Sequence, residues 1–391
     1  MGILCVFGTR PEAIKMAPVV WKLRDRVPAL DVRICSTAQH RDMLDSILAR
    51  LNVRPDYDFD LMREDQSLTD LTVRLLTCFQ SLFEIGHPAR VLVQGDTTTA
   101  AMAALAAFYR RVPVAHIEAG LRTGMRDQPF PEEANRKLIS SVADLHFAPT
   151  EQARANLLRE GVDQRAILVT GNTAIDALNW ALKEPEPEEV TRLSAGAERL
   201  LLVTVHRRES FGRPIEDVCL ALKRIAEHQR GAIRIVFPVH PNPNVLSPVY
   251  RALGALPNVT LVPPVDYVTL VHLMKRSHLV LTDSGGLQEE APSLGRPVLV
   301  LRDATERPEG IEAGTALLVG TDPSRIVAET LRLLTNGEAY RRMARVTSLY
   351  GDGHAAERIA AALAGTEVRA ESGAASARNS EAKMSVSPSE R

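Results

Sequence analysis

Short apolar runs alternate with amphipathic stretches from the first residues onward. Ile3–Phe7, Val32–Ser36, Val91–Gln94, Val114–Glu118, Leu145–Ala148 and Ile167–Val169 read as buried strands, and Ala13–Arg26 and Thr98–Arg110 carry helical spacing. Nearly continuous apolar strands alternating with helices predict parallel sheets joined by crossover helices. Lys183–Glu189 (KEPEPEE) interrupts the pattern with charge and proline and reads as a linker or loop. A second series follows, with strands at Leu200–Val205, Ile233–Val239, Val259–Val262, Leu279–Thr282 and Val298–Leu301, and helices that include Ile215–His228 and Thr269–Arg276.

The pattern therefore predicts two α/β domains, 1–171 and 172–351, with a hinge near 171–190 and a helix at about 352–365 returning to the first domain. From about Thr366 large apolar residues almost vanish, so 366–391 is expected to be a disordered tail. Open α/β sheets bind ligands outside the carboxyl ends of their strands, so the cleft between the two sheets is the expected site.

Composition narrows the function more than the fold. A formal net charge of −1 over 391 residues supplies no global field for nucleic acid or an anionic membrane. Aromatic residues at 4% argue against a stacking platform for single strands. Cys5, Cys35, Cys78 and Cys219 form no C-x-x-C pair and no zinc-spaced cluster, so free thiols in a reducing compartment and no metal are expected. No leader segment and no apolar window of roughly 18 residues stands out, and the expectation is a cytoplasmic protein.

Polar clusters sit where the strands stop. Gly8-Thr9-Arg10-Pro11-Glu12-Ala13-Ile14-Lys15 follows the first strand. It reads either as an anion-binding turn, with Arg10 and Lys15 adding charge, or as a solvated helix start. Asp96 in Gln94-Gly95-Asp96-Thr97 is either a helix cap or a functional acid. Glu118 ends a strand that should be buried, and a buried carboxylate is costly unless paired, which favours a function. Its neighbour His116 reads as structural. In Pro131-Glu132-Glu133 at least one glutamate fits an ordinary helix opening, leaving the other for chemistry.

In the second half, His206-Arg207-Arg208 suits a diphosphate or a surface ion cluster, and His240 is a weak signal alone. Asp283-Ser284-Gly285-Gly286 at a helix start suits a phosphate, Glu290 one turn later suits ribose hydroxyls, and Arg302 and Arg307 add positive charge. Gly351-Asp352-Gly353-His354-Ala355-Ala356 matches G-x-G-x-x-A but follows no strand. It reads as a turn into the last helix, which removes the main argument for a nicotinamide cofactor.

The segments GTRPEAIK, QGDTTT, HIEAGLRTG, PEEANR, HRRESFGR, VHPNPNV, DSGGLQEEAPSLG and RDATERPEGIEAGT together resemble the non-hydrolysing UDP-N-acetylglucosamine 2-epimerases of bacteria over about residues 3–363. The resemblance implies two Rossmann-like domains with parallel sheets facing a central cleft, the glycosyltransferase-B arrangement, usually as a homodimer without cofactor. It implies Asp96, Glu118, Glu132 and His206 as the catalytic set. Arg10, Lys15, Ser284, Gly285, Gly286, Glu290 and Arg307 would bind the substrate. Gln39, Arg207 and His240 would belong to a second site, where UDP-N-acetylglucosamine acts as allosteric activator. Two departures stand out: Leu270 occupies a position where many relatives have phenylalanine, and Met62-Arg63-Glu64-Asp65-Gln66 is unusually acidic.

Inverting C2 of such a sugar without nicotinamide requires expelling UDP from C1 while a base removes the C2 proton. UDP then re-adds to the 2-acetamidoglucal, with a proton delivered to the opposite face. That route needs a cationic cradle and acid–base groups on both faces, with Asp96 the leading base. A glycosyltransferase of the same architecture is the rival reading, because it needs the cradle but not three clustered acids.

Overall fold

The computed structural model describes residues 2–365 except 27, 29, 38–40, 62–65, 197 and 230. Gln39, the acidic stretch at 62–65 and the 366–391 tail thus lie outside the described residues.

Each apolar run forms a parallel strand, with helices between strands. The first sheet holds β1 (Gly2–Phe7), β2 (Asp31–Ser36), β3 (Tyr57–Asp58), β4 (Arg90–Gln94), β5 (Val114–Ile117), β6 (Leu145–Ala148) and β7 (Ile167–Val169) in the order β3-β2-β1-β4-β5-β6-β7. The second holds β8 (Arg199–Thr204), β9 (Ile233–Pro238), β10 (Val259–Val262), β11 (Leu279–Thr282), β12 (Val298–Val300) and β13 (Ala316–Leu318) in the order β10-β9-β8-β11-β12-β13. Both orders step outward from a central first strand and reverse there, as in Rossmann sheets, and the reversal opens a crevice at the strand ends. The edge strands β3 and β13 escape the sequence reading because two and three residues carry no usable periodicity. Three of the four free cysteines are buried; Cys78 is half-buried.

The sheets are joined by packing as well as by chain. Helix Thr173–Ala181 lies against helix Arg10–Arg26 on one side and against helices Tyr267–Arg276 and Gly285–Ser293 on the other. Trp21 and Trp180 meet there with ring centroids 5.7 Å apart. Gly171, just after β7, and Gly351, just before the last helix, lie side by side. A side chain on Gly171 would reach 3.0 Å from the Gly351 Cα, and the Asn172 N–H donates to the Tyr350 carbonyl at 2.6 Å. Both glycines have positive φ, so the close approach depends on their lack of Cβ.

Gly351–His354 is an irregular connection that leads into the last helix, which begins at Ala355. Beyond it, Asp176 accepts from the N–H groups of Ala355 and Ala356 at 3.2 and 2.9 Å, capping the last helix. Glu357 of that helix pairs with Arg26, and Arg358 donates to the Thr170 carbonyl. No helix among the described residues is long and apolar enough to cross a membrane.

Candidate active site

The turn after β1 is a capping box, in which a threonine and a glutamate three residues on close the helix start reciprocally. Glu12 is 2% exposed. Its Oε2 accepts from Gly8 N (3.1 Å), Thr9 N (2.8 Å) and Thr9 Oγ1 (2.7 Å), and its Oε1 from Thr97 Oγ1 (2.7 Å). This corrects the anion-binding reading of the backbone here: the donors a phosphate would need are already taken by Glu12. Arg10 and Lys15 remain on the cleft wall. Burial lowers the Arg10 pKa.

Glu118 leaves β5 with φ of 64°, a left-handed conformation that costs about 1–2 kcal/mol in a residue with a side chain. Four contacts hold it. Lys15 Nζ lies 2.9 and 2.6 Å from its two oxygens, Arg307 Nη2 lies at 3.0 Å, and Gln94 donates from its amide. For Lys15, burial depresses the pKa but Glu118 and Glu289 reverse this, and the net shift is upward.

Asp96 meets the guanidinium of Arg136 at 2.9 and 2.6 Å. Burial alone would raise its pKa; Arg136 outweighs that and holds the carboxyl below its ordinary value. The two adjacent glutamates of the next helix divide as the sequence suggested. Glu133 is the structural one, accepting from the Thr123 and Gly124 N–H groups and from Arg136. Glu132 has a buried Oε2 without a hydrogen-bond partner. Burial, with Asp96 adding its repulsion, raises its pKa. His116 is buried, and its Nε2 donates to the Gly95 carbonyl at 2.7 Å, a structural role.

In the second half, Asp283 is fully buried and organises the loop after β8. It accepts from the N–H groups of His206 and Arg207 and from the Ser210 hydroxyl, and its Oδ1 lies 3.3 Å from His206 Nδ1. The His206 ring, partly exposed, stacks on His240 at 6.3 Å. Helix Gly285–Ser293 opens at Ser284 with no side-chain cap. Glu290 accepts from the Tyr267 hydroxyl at 2.9 Å, and burial pushes its pKa up to about 7. Arg307 is not in the cleft. It is buried behind Gly285, with Glu289 and Glu306 at 2.5 Å and Glu118 at 3.0 Å, so it orients carboxylates.

These pieces border one cleft of about 1300 Å³. Arg10, Lys15, His206, His240, Ser284, Gly286 and Glu290 line it. Asp96, Glu118 and Glu132 lie outside that lining. Glu118 is joined to it by Lys15, and to Asp96 by a buried series of ion pairs running Glu118–Arg307–Glu306–Arg136–Asp96.

A family model for UDP-N-acetylglucosamine 2-epimerase matches residues 22–364. The chain belongs to the UDP-N-acetylglucosamine 2-epimerase family. The Yersinia pestis UDP-N-acetylglucosamine 2-epimerase is 51% identical over 94% of this chain and 100% of its own length. The Escherichia coli K12 enzyme of the same name is also 51% identical, covering 93% of this chain and 98% of that one. Among solved structures, the Neisseria meningitidis UDP-GlcNAc 2-epimerase bound to UDP-GlcNAc superposes with a TM-score of 0.89 at 44% identity, over 93% of this chain and 99% of that one. The Methanocaldococcus jannaschii UDP-GlcNAc 2-epimerase in complex with UDP-GlcNAc and UDP gives 0.83 at 32% identity, over 93% and 99%.

Within this epimerase-family chain, sequence reasoning assigned no role to Arg136 or Glu306, which link Glu118 and Asp96, or to Glu289, which pairs with Arg307. A signal existed for Glu306: it is one of two acids, with Asp303, set between Arg302 and Arg307 in a loop. The T-x-x-E spacing of Thr9 and Glu12 was likewise legible as a capping box.

Proposed function

We propose that this chain interconverts UDP-N-acetylglucosamine and UDP-N-acetylmannosamine by eliminating UDP to 2-acetamidoglucal and adding it back. The observation that carries this reading is the joining of Glu118 and Asp96 to a cleft whose far wall is an uncapped helix start, with Glu132 in a different electrostatic setting near Asp96. Ser284, Gly285 and Gly286 offer N–H groups and a positive helix end to the departing diphosphate, with Arg10 and His206 beside them. The buried Glu290 is suited to ribose hydroxyls.

In this mechanism Asp96, kept ionised by Arg136, removes the C2 proton. Glu132, whose raised pKa favours the protonated form, delivers a proton to the opposite face. Glu118, with Lys15 and Arg307, fixes the geometry between them. Burial, with like charge from Asp96, raises Glu132, and Arg136 lowers Asp96 against its own burial, which drives the two pKa values apart, the way paired carboxylates divide acid and base work. We extend the proposal to a two-domain division at Gly171 and Gly351, and to a cytoplasmic homodimer serving surface polysaccharide synthesis. Arg207 and His240, next to and stacked on His206, fit a second nucleotide-sugar site beside the first.

Incubation with UDP-N-acetylglucosamine in deuterium oxide tests the reaction. Deuterium at C2 of both sugars is the expected result. An unlabelled sugar that reacts only when an acceptor is supplied would overturn it in favour of glycosyl transfer.

A further inference from the structure

Glu306 carries an unusual load for a residue that touches no cleft. Its carboxylate is essentially without solvent contact, and four guanidinium groups surround it. Arg307 Nη1 lies at 2.5 Å, Arg302 Nη1 at 2.9 Å, and Arg136 and Arg207 Nη2 each at 3.5 Å. Arg136 comes from the first half of the chain and the other three from the second. The same Arg136 grips Asp96, and the same Arg307 grips Glu118.

We infer that Glu306 is a positioning residue for the epimerisation, acting from the second half through Arg136 and Arg307 to hold Asp96 and Glu118, both at strand ends of the first sheet, in register with each other. The inference rests on the reading of the acids given above. Its physical basis is the cost of like charge in a dry site. Four guanidiniums at these distances repel one another strongly unless an anion sits among them, since screening by water is weak there. With Glu306 in place the two key arginines have one fixed arrangement. Without its charge they separate, and each carries its carboxylate with it. A displacement of about 1 Å at reacting groups costs on the order of a hundredfold in rate.

The electrostatic consequence has a definite sign. The charged or titratable groups that bear on Asp96 are Arg136 and Glu132 from the helix Glu132–Val142, Arg207 from the loop after β8, Glu306 from the loop after β12, and His116 of β5. Glu306 raises the Asp96 pKa and the arginines lower it. Neutralising Glu306 moves Asp96 down, making it a weaker base. Removing Arg302, which touches Glu306 but neither acid, strengthens the field of Glu306 and moves Asp96 up.

The test compares wild type, Glu306→Gln, Glu306→Asp and Arg302→Gln in C2 deuterium exchange and steady-state epimerisation across pH. Glu306→Gln is expected to lower kcat by roughly 10- to 100-fold with KM within about twofold, and to move the acid limb of the kcat profile to lower pH. Glu306→Asp, which keeps the charge, should recover part of kcat, and Arg302→Gln should move the acid limb to higher pH. A Glu306→Gln protein with normal melting, kcat within about twofold of wild type and an unmoved acid limb overturns the inference. If that variant does not fold, an acid limb that stays in place or moves down in Arg302→Gln overturns it equally. Absence of exchange in the wild type is a different outcome, and sinks the epimerase reading itself.

Discussion

Lys15 Nζ sits 2.9 and 2.6 Å from the two oxygens of Glu118, so a cleft-lining cation is tied to an acid behind the cleft wall. Both side chains are nearly dry, at 13% and 5% exposed. Glu118→Gln leaves Lys15 and Arg307 facing a neutral amide. We expect kcat to fall by about 10²- to 10⁴-fold and unfolding free energy to fall by about 3–5 kcal/mol. Adding Lys15→Met to Glu118→Gln should restore stability without restoring turnover. Chemical denaturation and initial rates on the single and double variants check both; recovery of turnover in the double variant would remove Glu118 from the reaction.

Gly285 and Gly286 are neighbours with opposite constraints. A Cβ on Gly285 would stand 2.5 Å from Arg307 Nη1, whereas one on Gly286 meets nothing within 4 Å. Gly285→Ala should therefore displace the Arg307 guanidinium, costing about 1–3 kcal/mol of stability and lowering kcat. Gly286→Ala should melt like wild type and act on ligand alone, raising KM and weakening UDP binding. Thermal melts with calorimetric UDP titration separate the two; equal behaviour of both variants contradicts this account.

Glu12 makes stability pH-dependent with a sign opposite to that of a salt-bridged acid. Burial raises its pKa from 4.5 to about 7 against the pull of its hydrogen bonds. The folded state thus holds the proton more tightly than the unfolded chain. The benefit is complete below pH 4.5, declines between 4.5 and about 7, and is gone above. The difference between wild type and Glu12→Gln should change by about 3 kcal/mol over that window, the variant gaining relative to wild type as pH rises. Urea titrations at several pH values measure it, and parallel curves would mean that Glu12 is ionised throughout.

Tyr267 donates the hydrogen bond that satisfies one oxygen of buried Glu290. Tyr267→Phe removes the donor and leaves that oxygen bare. We expect UDP affinity to drop by roughly tenfold, KM to rise accordingly and kcat to change little. A fall in kcat with unchanged UDP binding would place this pair in the chemistry instead of at the nucleotide.

Much of the architecture was legible because buried parallel strands are uniformly apolar: β1 and β8 lie where the pattern puts them. Glu118 was read as a strand end, and it leaves the strand one residue earlier, because its φ is dictated by Lys15 and Arg307 from elsewhere in the chain. Local periodicity has no access to such partners. The same reason hides how Arg136 and Glu306 act: besides near neighbours, Arg136 reaches Asp96 and Glu306 across 40 residues and more, and the sequence presents both as ordinary surface charges. The phosphate-ready reading of Gly8 and Thr9 failed for the opposite reason. The residue that occupies those donors, Glu12, is only three positions from Thr9, and its burial decides the matter.

That occupancy breaks a symmetry. The two sheets share one strand order, and each begins with a strand, a turn and a helix, so a pseudo-twofold ligand would find two equivalent ends. With the Glu12 side chain occupying the Gly8 and Thr9 N–H groups at one helix start, the proposed diphosphate site is left to the other, at Ser284. A single side chain thereby makes the two ends of the cleft unlike, and the proposed substrate would lie one way round, with its sugar toward the first sheet.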